Sequence, residues 1–282
     1  MDQSPTIAIV QARLGSTRLP GKVLLDIGGQ PMLVRVVERV RRAGRLDGVV
    51  VATTTEVQDD PVEALCRERG YACTRGSLQD VLDRYYQAAR GAGAGTVVRI
   101  TSDCPAMDPQ LIDQTVDEFR RAGADFAANR LPPPWSRTFP IGLDVEVCTF
   151  AALERAWREA DQPFQREHVM PYFYEGIPAG ALSSTCTAAA ASPRGFRVVL
   201  VNHDPDYGAL RWTVDTPPDL ELLRQVYARF DNQDTFSWTD VLALLEREPA
   251  LARINASVPQ KSGLEAEKSI AKNPTLNSRK GV

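Results

Sequence analysis

Ile7–Met32, IAIVQARLGSTRLPGKVLLDIGGQPM, is the stretch whose reading decides the fold. It opens with a short apolar run, Ile7 to Val10, which breaks off into a polar segment holding Arg13, Ser16, Thr17, Arg18 and Lys22. Gly15 and Gly21 bracket that segment, Pro20 stiffens it, and a Gly28-Gly29 turn delivers the chain to Pro31, placed to begin a helix. A buried strand running into a loop of small residues and cations suits a polyanion, because glycine lets backbone N–H groups approach while the cations neutralise charge. A surface loop with solvated charges is the plain alternative. Three cations, Arg13, Arg18 and Lys22, within ten residues of a buried strand weigh against it.

Outward from there the chain alternates. Met32 to Arg42 carries apolar residues at helical spacing (Leu33, Val36, Val37, Val40), with cations in the last turn where they suit the helix dipole. Gly48 leads into VVVAT, a continuous apolar run of the kind buried on both faces. Pro61 to Arg69 reads as a helix opened by Asp60-Pro61 and closed by Gly70, and Tyr71 to Thr74 as a short strand. Leu78 to Arg90 reads as a helix capped by Ser77, and TVVRI follows as a strand. This repetition predicts an α/β fold with a mostly parallel sheet, helices on both faces, and a ligand beyond the C-terminal ends of the strands. The opening loop, Thr53 to Asp60 and Thr101 to Asp108 all lie at such ends and should share one crevice.

Asp108-Pro109 starts a helix to Arg121, and DFAAN is a short strand. The pattern then breaks in a long Pro-rich segment, Asn129 to Leu143, a candidate substrate loop. DVEVC reads as a strand, Phe150 to Glu159 and Gln165 to Tyr174 as helices, and about 181–187 and FRVVLV as partly antiparallel strands. LRWTV reads as a strand ending at Asp215, followed by a helix with Thr216 as cap, and Trp238 to Glu246 as the last helix. Residues 1–255 are read as one domain and 256–282, polar and without apolar period, as a disordered tail.

Composition bounds the function. The net charge of −3 argues against a general nucleic-acid or membrane binder, and no apolar run approaches a membrane span or a signal pattern. Five scattered cysteines without a C-x-x-C pair fit reduced thiols in a cytoplasmic protein, and two histidines exclude a histidine-rich metal centre.

Gly15 to Lys22 nearly matches the phosphate loop G-x-x-x-x-G-K-[ST], but it has one residue too many and Val23 stands where Ser/Thr would hold magnesium. No helix is expected at Lys22, and no dinucleotide G-x-G-x-x-G follows the first strand. Ala12 to Leu24, ARLGSTRLPGKVL, instead resembles the A-R-x-x-S-x-R-L-P-x-K-x-L signature of CTP-dependent cytidylyltransferases that activate KDO and nonulosonic acids. The spore coat polysaccharide biosynthesis protein F-like branch is the nearest resemblance. Its motifs recur in order at Gln11–Leu24, Ala52–Thr54, Arg75–Tyr85, Ser102–Pro105, Gly142–Val147, Arg166–Val169 and Arg211–Glu221, over roughly the first 250 residues. Two departures fall in the region expected for the acceptor: Ile141 replaces an aspartate, and Pro132–Pro134 with Trp135 lengthen the loop before it.

The resemblance implies a GT-A-like Rossmann-type three-layer α/β/α sandwich, with some antiparallel strands in the C-terminal half. It also implies transfer of CMP from CTP to an acidic sugar, in polysaccharide biosynthesis, with Mg²⁺ as cofactor and a possible homodimer. The acceptor would be small and acidic; nucleic acid and membrane are not expected partners. Carried over by position, Asp103 and Asp215 hold the metal, and Arg13 and Lys22 grip the phosphates with Ala12, Gly15, Ser16 and the loop backbone. Arg18 either joins them or pins the loop. Thr53, Thr54, Arg75, Ser77 and Asp80 lie near cytosine and ribose, with Ser77 alternatively a helix cap and Asp80–Arg84 alternatively an exposed i,i+4 pair. Asp144 and Glu146, expected on one face of a strand, and Arg166 and His168 are the acceptor candidates. A phosphonate or phosphorylated acceptor, and a GT-A glycosyltransferase lacking the usual D-x-D motif, are the competing readings.

Overall fold

The computed structural model describes residues 4–135, 137–184 and 186–259. In chain order the elements are β1 Thr6–Gln11, the hairpin strands β2 Asp26–Ile27 and β3 Gln30–Pro31, α1 Met32–Val40, β4 Gly48–Thr54 and α2 Asp60–Arg69. Then come β5 Ala72–Gly76, α3 Val81–Gly91, β6 Thr96–Thr101, α4 Pro109–Ala122, β7 Phe126–Ala128 and β8 Glu146–Thr149. The described chain closes with α5 Phe150–Glu159, α6 Pro163–His168, α7 Pro171–Tyr174, β9 Ala188–Ala191, β10 Arg197–Leu200, α8 Pro217–Arg229, α9 Trp238–Arg247 and α10 Pro249–Ala252.

Eight strands form one sheet in the order β5-β4-β1-β6-β8-β7-β10-β9. All neighbours of β1 are parallel, while β8 and β9 run against the rest, so the antiparallel strands fall in the later half as expected. This is a Rossmann-like α/β fold. β1 is central because its residues are apolar on both sides: Ala8 and Val10 join one core layer, Ile7 and Ile9 the other. The first layer holds α1 and α4 through Val36, Val40, Ile112 and Val116; the second holds α3 and α5 through Leu82, Tyr85 and Leu153.

Helix limits follow local chemistry. Asp108 caps α4 by accepting from the N–H groups of Gln110 and Leu111, and Gly123 closes it at φ 59. The cations of α1 serve more than the helix dipole. Arg39 is fully buried and donates to the carbonyls of Met107, Asp234 and Phe236, tying two segments to the helix.

Several expectations are corrected. LRWTV is not a strand: it touches Ile141 by one isolated bridge and Asp103 by the Val214 N–H···O bond of 2.8 Å. Trp212 and Val214 are nevertheless buried, so the stretch has strand-like polarity without a place in the sheet. The helix expected over 165–174 is two short helices, α6 and α7, separated where Val169 takes φ 69 and Pro171 follows. The strand expected over 181–187 lies at Ala188–Ala191 instead, and a 3₁₀ turn occupies Ala179–Leu182. A single 3₁₀ turn, Lys22–Leu24, does begin at Lys22, although no α-helix does. α10 follows the helix read as the last. The tail expected from residue 256 lies, from 260 on, outside the described residues.

Gly142 locks the LRWTV stretch in place. It sits at φ 104, and a Cβ there would come within 2.5 Å of the Thr213 nitrogen.

Candidate active site

The crevice forms where β1, β4 and β6 end. Ala12 N–H continues the β1–β4 pairing by donating to the Ala52 carbonyl, and Ser102 N–H donates to the Gln11 carbonyl. The loop after β1 is braced from β4. Fully buried Asp59 accepts from Leu14 N–H at 2.6 Å and from the Thr54 hydroxyl. The turn itself is closed by Gly21 N–H on the Leu14 carbonyl, with Gly21 at φ 69. Val23 drops into the core and so fixes the root of Lys22.

Lys22 is the hub. Its ammonium donates to Asp103 Oδ2, to Asp215 Oδ1 and to the Val214 carbonyl, each at 2.8 Å, so all three N–H bonds are used. Burial alone would lower its pKa, but the two carboxylates more than offset that and hold it above the ordinary value. Burial likewise opposes ionisation of Asp103 and Asp215, and Lys22 overrides it, leaving both carboxyls below theirs. Asp215 also meets Arg18 Nη2 and Arg211 Nη2, each at 2.9 Å. Helix capping beside Asp215 falls to Asp219, whose Oδ2 accepts from the N–H groups of Asp215 and Thr216. That leaves the Asp215 carboxylate directed at Lys22.

Acid sensitivity follows with a definite sign. Carboxylates held below their unfolded value of 3.8 contribute stability that is present above it and lost as pH falls through the lower folded values. The wild-type melting temperature should therefore drop steeply below about pH 4, and more shallowly in Asp103→Asn. Thermal melts from neutral to acid pH measure it; equal slopes would contradict the assignment.

Two carboxylates that converge on one cation also fit a magnesium ion. Among the described residues no three His, Cys, Asp or Glu side chains gather into a cage, so such an ion would need phosphate oxygens and water to complete its shell.

The other residues singled out from sequence divide. Ala12 is buried and Gly15 exposed at the loop, Ser16 Oγ accepts from Leu19 N–H, and Arg13 is exposed. Thr53 and Thr54 are buried. Arg75 is fully engaged: it donates to the carbonyls of Thr54 and Glu56 and pairs with Asp60 and Glu63. Ser77 is not the cap of α3; Asp80 is, accepting from Asp83 N–H, while Ser77 Oγ accepts from Asp80 N–H. Asp80 pairs with Arg166 at 2.5 Å and not with Arg84, so Arg166 ties α6 to α3 and donates to the Trp157 carbonyl besides. Both side chains are thus engaged with the protein itself.

Asp144 and Glu146 lie in one charge cluster but are both partnered. Asp144 precedes β8 and pairs with Arg137, 2.9 Å at the longer contact, with Arg130 at 3.9 Å. Glu146 is buried and faces Arg99 directly across the β6–β8 pairing. His168 ends α6, half-buried, within the fields of Glu167, Arg99, Arg130 and Glu146; burial pushes its pKa down. Sequence reasoning missed Arg99, Arg130, Arg137 and Arg211. A lone arginine inside the apolar run TVVRI was the available signal for Arg99.

Comparison with known proteins finds relatives along most of the chain. The family model described as cytidylyltransferase matches residues 7–197. The spore coat polysaccharide biosynthesis protein SpsF of Bacillus subtilis is 30% identical over 250 residues, 86% of this chain and 95% of its own. An uncharacterised protein of Methanocaldococcus jannaschii is 35% identical over 266 residues, 93% and 98% of the two chains. The structure of a cytidylyltransferase from Leptospira borgpetersenii superposes with TM-score 0.77 at 30% identity, covering 89% of this chain and 97% of that one. A CMP:2-keto-3-deoxy-manno-octonic acid synthetase complexed with CTP shares the fold, with TM-score 0.56 at 19% identity over 80% and 99% of the chains.

Proposed function

The chain belongs to the cytidylyltransferase family, and on that premise we propose that it transfers CMP from CTP to a small acidic acceptor, an acid sugar foremost, and releases pyrophosphate. An acceptor oxygen attacks the α-phosphorus of CTP, the bond from that phosphorus to the bridging oxygen breaks, and pyrophosphate carries the electron pair away. Charge accumulates on the phosphoryl oxygens, so positioning and electrostatic stabilisation do most of the work. Arg13 and Lys22 would take the phosphate charge, with Ser16 and the loop backbone assisting. Asp103 and Asp215 would hold Mg²⁺, which neutralises phosphate charge when bound.

The observation that carries this reading is the meeting of Lys22, Asp103 and Asp215, from three distant parts of the chain, at the C-terminal ends of parallel strands. The cluster at the lengthened loop sets three arginines, Arg99, Arg130 and Arg137, against two carboxylates, Asp144 and Glu146, and this excess of positive charge supports an acidic acceptor, which a phosphonate or phosphorylated molecule would satisfy as well as an acid sugar. By analogy with its Bacillus relative, a spore coat polysaccharide biosynthesis protein, the product would serve polysaccharide assembly, and the five free thiols suit a cytoplasmic setting. Family membership sets the glycosyltransferase reading aside.

Pyrophosphate release with each NTP and Mg²⁺, against a panel of acid sugars, phosphonates and phosphorylated small molecules, tests the proposal. CTP should be the productive nucleotide. Turnover with ATP or UTP and none with CTP would overturn it.

A further inference from the structure

Arg84 should be surface-exposed if it formed a helical pair with Asp80, yet it is 1% exposed and turned under the sheet ends. Its Nη1 donates to the Ser77 carbonyl at 2.6 Å, while Nε and Nη2 are buried without a partner. No carboxylate among the described residues bonds it, Arg13 lies in its field, and burial pulls its pKa down. Asp59 offsets that burial only through space, so two of the three guanidinium nitrogens stay buried with nothing to donate to, which costs stability and points to a ligand. A second observation stands beside it. Gln11 aligns with Ala52 on one side and Thr101 on the other, and Ala52 aligns with Thr74, so this row presents one face of the sheet. That face packs on α3, since Ala52 belongs to the α3 core layer and a Cβ on Gly76, two residues past Thr74, would meet Arg84 Cγ at 3.2 Å. On it, Gln11 Oε1 and Thr74 Oγ1 are also buried and unpartnered.

Building on the proposed function, we propose that Arg84 and Gln11 read the nucleobase and set the preference for cytosine. The guanidinium supplies two donors to the adjacent acceptors O2 and N3, and the amide oxygen accepts from the exocyclic amine. Uracil reverses both matches: N3 carries a hydrogen facing the guanidinium, and O4 faces the amide oxygen. A site built on such bonds rejects the mismatched analogue because its buried groups then stay unpaired. The Ser77 carbonyl sits on Arg84 Nη1, so entry of the base would require that contact to give way.

Calorimetric titration of CTP and of UTP, with MgCl₂, into the full chain tests this, together with melts of the nucleotide-free protein. Wild type should favour CTP by about a hundredfold or more, and Arg84→Met and Gln11→Met should each cut that ratio to below about tenfold. Nucleotide-free Arg84→Met should melt at or above the wild-type temperature, the reverse of what a structural strut would do. A wild-type preference that survives in both variants overturns this inference alone. Equal affinity of wild type for CTP and UTP overturns the CTP reading and this inference with it. Should Arg84→Met fail to fold, that loss speaks for a structural Arg84 and against its part here, and Gln11→Met decides the rest.

Discussion

Lys22→Met is expected to lower the rate of pyrophosphate release from CTP by about 10²–10³-fold, the scale seen when one preorganised donor to developing charge is removed. The side chain is 11% exposed, rooted by buried Val23 beside it, and its three donors are directed by two carboxylates and a carbonyl. Such preorganisation means little reorganisation is needed when the triphosphate arrives. The same substitution leaves Asp103 and Asp215 facing each other without the cation between them. Removing one partner of a buried ion pair costs about 3–5 kcal/mol, and the partial exposure of both aspartates puts this site at the low end. A fall in melting temperature of roughly 5–10 °C should accompany the kinetic loss. Circular dichroism at the assay temperature separates the two effects, since the folded variant must still be slow. Near-normal turnover by folded Lys22→Met would remove Lys22 from the phosphate site.

Asp103→Asn and Asp215→Asn should each reduce turnover by about 10³-fold or more if both hold the metal. Their structural consequences differ. Asp103 neutralises Lys22 alone, whereas Asp215 neutralises Lys22, Arg18 and Arg211. Asp215→Asn should therefore be the less stable variant and Asp103→Asn the cleaner kinetic probe. Steady-state pyrophosphate release and thermal melts check both halves. A near-normal rate in either variant would show that residue not to be a metal ligand.

The sheet and crevice were legible because their signals are local. Apolar runs such as Ile7–Val10 and VVVAT need burial on both faces, and Asp108-Pro109 and Gly123 mark helix ends by backbone chemistry alone. Strand–helix alternation then puts the polar segments at one edge, which is how Lys22 and Asp103, 81 residues apart, were expected together. What failed depends on partners that sequence does not name. LRWTV has the burial of a strand, but its backbone bonds go to a loop and a strand end. Arg75 lies one residue past the strand expected over 71–74 but inside β5, and Glu63 and Asp60 hold its long side chain. Arg84 turns inward because Asp80 is taken by Arg166 from a helix 86 residues away. Glu146 is likewise claimed by Arg99 through strand register, a pairing invisible until β8 is seen to insert beside β6.

The central claim is that Lys22, Asp103 and Asp215 form a CTP site in which the two aspartates bring Mg²⁺ to the triphosphate. Calorimetric CTP binding with and without Mg²⁺, in wild type and in the Asp103→Asn/Asp215→Asn double variant, tests it most directly. The account predicts that Mg²⁺ tightens wild-type binding by at least about tenfold and leaves the double variant unchanged. Binding indifferent to Mg²⁺ in the wild type, or the same Mg²⁺ dependence in both proteins, would contradict it.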